Sequence, residues 1–228
     1  MKFQTALLNK KREGMIPVIP DIKCISPKQG DLLRGRCPIE AARLLKEAGA
    51  PVMSVVTESK NFGGSLNLLR SIVDATGLPI LRKDFITDTD DLKVSLDYGA
   101  AAILLMCATQ TEQSLLELYD SAIDLGLEVL VETHTLAEMQ FTRTLGATLI
   151  GINNRDITQL ERDGGTVENT CHLAEFAPEN ALLISESGIH TLEDVRQAIQ
   201  AGADAVLIGT ALWQAEEMTL FYKQLCGG

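Results

Sequence analysis

The chain is poor in basic residues relative to acidic ones, poor in aromatics, and without a long apolar run. Twenty lysines and arginines stand against 31 aspartates and glutamates, giving a net charge of −11, so the basic footprint of nucleic-acid binding is missing. Any anionic ligand must be held by local positive charge against an acidic background. No apolar run reaches the ~18 residues that span a bilayer, and the N-terminal MKFQTALLNKKREG lacks the continuous apolar stretch of a secretory signal. A cytoplasmic protein with no membrane or nucleic-acid partner is expected. The five cysteines, at 24, 37, 107, 171 and 226, are odd in number and contain no C-x-x-C pair, which argues against a disulfide framework and a structural zinc site. Neither a G-x-S-x-G elbow, a Walker loop nor a strand-turn-helix G-x-G-x-x-G occurs, so hydrolase, nucleotide-triphosphate and dinucleotide functions lack support. His134, His172 and His190 show no metal-ligand spacing. None of the three is expected at a strand end, packing or surface roles are expected for all, and no metal is expected.

What is present is a repeat of two periodicities. Short runs rich in aliphatic residues recur at 18–22, 52–56, 79–81, 101–106, 128–131, 148–152, 181–185 and 204–208. Between them, helical spacing recurs at 39–48, 66–75, 89–98, 112–125, 136–145 and 192–201. Glycines stand between helix and next strand in AGAPV, YGAAAILL, LGATLIG and AGADAVLIG, as tight helix-to-strand turns require. No linker or low-complexity segment divides the chain, and the strands are nearly apolar throughout, as in a parallel sheet covered on both faces. These patterns predict an α/β fold, a single (β/α)8 barrel over 1–228 with a short N-terminal helical extension at 1–16. An open doubly wound sheet is also compatible with them.

In such a barrel the C-terminal strand ends converge on one mouth, where chemistry is placed. Read in order, the ends supply Asp21 and Lys23; Thr57 and Glu58; Lys83 and Asp84; the bland Leu104 and Met106; Glu132; NNRD, from Asn153 to Asp156; SESG, from Ser185 to Gly188; and IGT, from Ile208 to Thr210. Alternation along a strand points Asp21 and Lys23 the same way, and Asn153 and Arg155 likewise. Mouth ion pairs without chemistry are an equal reading for any single pair. So many charges around one cavity are costly to bury, and function explains them better. The glycine turns ESGI and LIGT fall where many barrels bind phosphate, and the loop 26–36, with Gly30 and Gly35, has the character of a lid.

The motifs DIKCISPKQG, SVVTESKNFGGSL, LPILRKDFI, LVETH, IGINNRDI, ISESGI and AVLIGTAL together resemble indole-3-glycerol phosphate synthase of tryptophan biosynthesis, along nearly the whole chain. The resemblance implies ring closure, decarboxylation and dehydration of a carboxyphenylamino-deoxyribulose phosphate, a carboxy-lyase reaction that uses no cofactor. It implies Lys83 as the general acid on the ketone oxygen and Glu132 as the general base or acid in proton removal and dehydration, with Lys23 and Asp21 positioning Glu132 and the substrate. Asn153 and Arg155 are implied to hold the hydroxyl and the carboxylate, and Glu186 and Ser187 to complete the polar wall. Phosphate is implied on Gly188, Gly209 and Thr210 near Ser26 and Lys23, and the aromatic ring among Pro27, Phe62, Phe85, Leu104 and Ile208. A lysine beside other cations is expected to have a lowered pKa.

The chain departs from the family in having Asp21 where Glu usually precedes IK, and Asn61-Phe62 where an aromatic pair is usual. Restoring the longer acid at 21 is expected to raise turnover. Its N-terminal segment before the first strand motif is short, with Lys10 to Arg12 expected to be part of a helical extension over the mouth. The expected partner is an anionic sugar-phosphate small molecule, and the chain is expected to be a monomer or weak homo-oligomer. Other readings fit the same residues: a Schiff-base aldolase using Lys83, a paralogous enzyme on a related sugar phosphate, or a catalytically weak binder.

Overall fold

In a computed structural model, which describes residues 2–155 and 166–227, eight parallel strands close into a barrel. They are β1 (Val18–Ile22), β2 (Met53–Val56), β3 (Ile80–Lys83), β4 (Ala102–Met106), β5 (Glu128–Thr133), β6 (Leu149–Asn153), β7 (Leu182–Glu186) and β8 (Ala205–Ile208), each paired with its sequence neighbours and β8 with β1. The open-sheet alternative is thereby excluded. Helix α1 (Phe3–Arg12) precedes the barrel, and the other helices follow its strands: α2 (Pro38–Glu47), α3 (Leu66–Thr76), α4 (Thr89–Asp97), α5 (Glu112–Asp124), α6 (Leu136–Leu145), α7 (Glu168–Leu173), α8 (Leu192–Gln200), α9 (Thr210–Gln214) and α10 (Met218–Leu225). Asp156, the last residue of NNRD, lies outside the described residues.

Local chemistry explains most boundaries. Thr135 and Thr191 open α6 and α8 as capping boxes with Glu138 and Asp194, and Gly77 and Gly146 close α3 and α6 in the left-handed conformation. Three strands run one or two residues further than their apolar runs, so that Lys83, Glu132 and Glu186 stand inside the ladder. Backbone pairing continues there, with Val56 opposite Lys83 and Glu132 opposite Gly151, while only the inward side chains turn polar. Three short helices, α7, α9 and α10, have no counterpart in the helical spacing of the sequence, because few residues carry their periodicity.

The barrel interior is apolar at one end and polar at the other. Ile19, Leu81, Leu104, Leu130, Ile184 and Leu207 fill its lower layers, and the outward strand faces pack against the helices in two further clusters. Helix α1 corrects the expectation for the N-terminal segment. It plugs the bottom of the barrel, not the mouth. Its buried Phe3, Ala6 and Leu7 join the interior cluster, the amides of Phe3 and Gln4 donate to Glu128 at the start of β5, and Lys11 pairs with Asp204, just before β8. The unsatisfied amides of a helix start and an apolar face both find partners there. Among the described residues, no helix is long and apolar enough to cross a membrane.

Candidate active site

The polar layer follows from the alternation of strand side chains. Ile19 points into the barrel, so Asp21 and Lys23 do too; Leu81 brings Lys83 with it, Leu130 brings Glu132, and Ile184 brings Glu186. Parallel register then sets these residues at one height: Asp21 lies opposite Ser54, and Asn153 opposite Glu186.

Lys83 is the hub of the cluster. Its ammonium bonds to Glu186 Oε2 and lies 3.5 Å from Glu132 Oε2. Glu132 and Glu186 are 1% and 0% exposed. Burial alone would lower the Lys83 pKa, but Glu186, Glu132 and Asp21 outweigh it and hold the ammonium well above its usual value. The expected lowering is therefore corrected: the neighbours that decide the charge state of Lys83 are carboxylates, not cations. Glu186 moves the other way for a carboxyl. Burial is the largest influence and Glu132 adds to it, so despite Lys83 its pKa is pushed up to about 7. Glu186 fits only because residue 151 is glycine. A β-carbon there would come within 2.2 Å of Glu186 Oε1.

Asp21 is 3% exposed, accepts a 2.7 Å hydrogen bond from the Ser54 hydroxyl, and lies against Gly209. Its carbonyl accepts from the indole of Trp213 at 2.9 Å. The Lys23 ammonium stands over the Phe62 ring, 5.7 Å from its centroid. Phe62 is fixed in turn by Glu58, which receives the backbone amides of Lys60, Asn61 and Phe62. Glu58 therefore organises its loop, although it also borders the cavity. Asp84 is tied down by Thr57 at 2.5 Å and by the buried Arg82 at 2.9 Å. Asn153 accepts the Arg155 amide at 3.0 Å through its side chain.

Two lobes open above the cluster and share Asp21, Lys23, Lys83, Arg155 and Ser187. The larger, of about 660 Å³, is walled by Phe62, Phe85, Leu104 and Met106, with Glu132 and Asn153 at its floor. The smaller, of about 390 Å³, is walled by Ser187, Gly188, Ile208, Gly209 and Thr210. Ser187 and Gly188 are both left-handed, with φ of 65° and 68°, a costly state for serine. Asn154 holds the turn by donating to Ser185 Oγ and to the carbonyls of Glu186 and Ser187, at 3.0 to 3.1 Å.

Most of the expected residues thus meet at one mouth. Leu104 and Met106, bland in the sequence, belong to the apolar wall of the larger lobe, whereas Ile208 borders the smaller lobe, away from the ring side where it was expected. Glu186 lies beneath the lobes, in contact with Lys83. Ser26 is buried in the small hairpin of Ile25–Ser26 and Gly30–Asp31, and neither it nor Pro27 borders either lobe. The segment expected as a lid is anchored at both its middle and its end: Leu32 donates to the Cys24 carbonyl at 2.9 Å, and Arg36, which also binds the carbonyls of Leu32 and Leu33, donates to the Trp213 carbonyl.

Three contributions are not evident from composition or motif. Ser54 and Arg82 depend on cross-strand and helix contacts. His134 corrects the expectation that no histidine falls at a strand end: it directly follows β5 and places Nε2 3.4 Å from Glu132 Oε1. The two-residue spacing from Glu132 was the available signal.

Known proteins resemble the chain over nearly its whole length. A family model described as indole-3-glycerol phosphate synthase matches residues 1–225. The chain is 46% identical over 208 residues to the indole-3-glycerol phosphate synthase of Pyrococcus furiosus, covering 91% of this chain and 90% of that protein. It is 42% identical to that of Thermococcus kodakarensis, covering 91% of each, and 39% identical to that of Streptococcus pneumoniae, covering 98% of this chain and 86% of the relative. Among solved structures, a thiamine phosphate pyrophosphorylase from Pyrococcus furiosus superposes with a TM-score of 0.65 at 16% identity, covering 92% of this chain and 93% of that one. That likeness concerns the fold alone.

Proposed function

The chain belongs to the indole-3-glycerol phosphate synthase family of tryptophan biosynthesis, and from that membership we propose that it is a carboxy-lyase converting carboxyphenylamino-deoxyribulose phosphate to indole-3-glycerol phosphate. The observation that carries the assignment of roles is the Lys83 ammonium, bonded to Glu186 and 3.5 Å from Glu132 where the two lobes join. The aromatic ring occupies the lobe of Phe62, Phe85 and Leu104, and the phosphate occupies the glycine-walled lobe of Gly188, Gly209 and Thr210. The reacting ketone then lies between them, over Lys83.

Lys83 donates to the ketone oxygen as the ring carbon bearing the carboxylate attacks the ketone carbon. The surrounding carboxylates keep Lys83 in the ammonium form that a general acid must start from. Carbon dioxide leaves and the ring regains aromaticity. Glu132 then moves the proton whose loss accompanies departure of the hydroxyl as water. Glu186, with a pKa of about 7, exchanges protons with this pair near neutrality. Lys23 and Arg155 hold the anionic ends of the substrate, Asn153 its hydroxyl, and Asp21 orients Lys83. A Schiff-base role for Lys83 asks for a neutral amine, which three carboxylates oppose.

The test is turnover of the synthetic substrate followed by indole fluorescence. Lys83→Ala and Glu132→Gln should each lower kcat by orders of magnitude with circular dichroism unchanged. Near-normal activity in both would refute the assigned roles.

A further inference from the structure

Two buried oxygen and nitrogen atoms face each other at the end of β5. Glu132 Oε1 and His134 Nε2 are 3.4 Å apart, and neither has a hydrogen-bond partner among the described residues. Buried polar atoms without partners are costly and rare. Two of them facing each other mark a bond that a small rotation completes, as apo active sites commonly allow. The second ring nitrogen, Nδ1, also lacks a partner and faces Glu138 Oε2 at 3.8 Å. Glu138 is held in place: its Oε2 accepts the backbone amides of His134 at 2.6 Å and Thr135 at 3.0 Å, as part of the capping box that opens α6. Asn169 donates to the His134 carbonyl at 3.2 Å. A line of contacts, Glu138 to His134 to Glu132, thus joins a rigid helix cap to the polar layer of the barrel.

We propose that His134 is a positioning residue for Glu132, donating Nε2–H to Oε1 and Nδ1–H to Glu138, so that Oε2, the oxygen beside Lys83, is the one presented to substrate. The inference rests on the assignment of Glu132 as the proton-moving group. Donation at both ring nitrogens requires the imidazolium, since neutral imidazole has one N–H. The charged groups facing the ring supply the reason for that state: Glu132 on β5, Glu138 on α6 and Glu186 on β7, with Lys83 of β3 on the far side of Glu132. Burial opposes the cation, but these carboxylates outweigh it and raise the His134 pKa above its ordinary value. The nearby Cys107 thiol, pushed up to about 12 chiefly by burial, is neutral at working pH.

The test combines ¹⁵N NMR titration of His134 with kinetics. In the wild-type protein His134 should titrate above the ~6.5 of a free imidazole, and its midpoint should fall in Glu132→Gln and again in Glu138→Gln. His134→Gln should lose about 10- to 100-fold in kcat, the scale of an ångström-sized misplacement, with KM little changed. It should also lack the alkaline limb that His134 deprotonation gives the wild-type kcat profile. A His134 midpoint unmoved in Glu132→Gln, or a His134→Gln variant with wild-type kcat and profile beside an inactive Glu132→Gln, overturns the inference. An active Glu132→Gln instead refutes the role of Glu132, and the NMR shift then still decides whether the contact exists. If His134→Gln fails to fold, His134→Asn and the titration in Glu132→Gln decide.

Discussion

Gly151→Ala isolates the packing of Glu186 from its chemistry. Gly151 sits in β6 and does not have a left-handed φ, so alanine suits the backbone and the perturbation is one of contact alone. The new β-carbon would stand 2.2 Å from Glu186 Oε1 and 3.4 Å from its Cδ. Since a carbon–oxygen contact settles near about 3.3 Å, the carboxylate must retreat by about one ångström. Overpacking of this kind costs about 1–3 kcal/mol of stability, which leaves a typical domain folded. The same displacement breaks the bond from Lys83 and moves the ammonium relative to the ketone, for about a 100-fold loss of kcat, or about 2.7 kcal/mol in the barrier. Indole fluorescence under saturating substrate gives kcat, and thermal melting by circular dichroism gives the stability. A second substitution, Glu186→Asp, makes room for the methyl group and should recover part of the loss, as a non-additive double-mutant cycle. If Gly151→Ala turns over within about 2-fold of wild type while its Tm falls as expected for overpacking, the Lys83–Glu186 contact does not set the geometry of the reaction.

Two further outcomes follow from the buried carboxylates. The sequence favours a gain in turnover for Asp21→Glu, but Asp21 is already seated 2.7 Å from Ser54 and against Gly209. The longer acid overshoots the serine, so kcat should fall about 10-fold or more; a rise in kcat would show that Ser54 and Gly209 do not fix this carboxylate. The second concerns pH. The folded Glu186 pKa, about 7, lies above its ordinary 4.5, so the folded chain binds the extra proton. Its contribution to stability is complete below about pH 4.5 and lost as pH rises through about 7. Glu186→Gln removes this dependence, and its unfolding free energy should gain on wild type between those limits and run parallel above them. A difference that stays flat in urea titrations across that window would mean that Glu186 keeps an ordinary pKa in the fold.

The sequence by itself narrowed the architecture to a closed barrel or an open doubly wound sheet and set most of the charged strand-end residues on one face, because both rest on short-range periodicity. Eight apolar runs separated by helical spacing leave few closed alternatives, and period-two alternation assigns Asp21, Lys23, Lys83 and Glu132 to one face without reference to any partner strand. The charge states were beyond it. Whether Lys83 is surrounded by cations or carboxylates depends on Glu186, 103 residues away, and on how deeply both are buried, neither of which is a local property. The same holds for Gly151, whose side of the barrel is implied by alternation but whose necessity appears only when Glu186 from the neighbouring strand lies over it. The N-terminal helix shows the limit most plainly. Its apolar Phe3, Ala6 and Leu7 declare that it must dock, and only the barrel's open bottom, with Glu128 ready to accept its first amides, decided where.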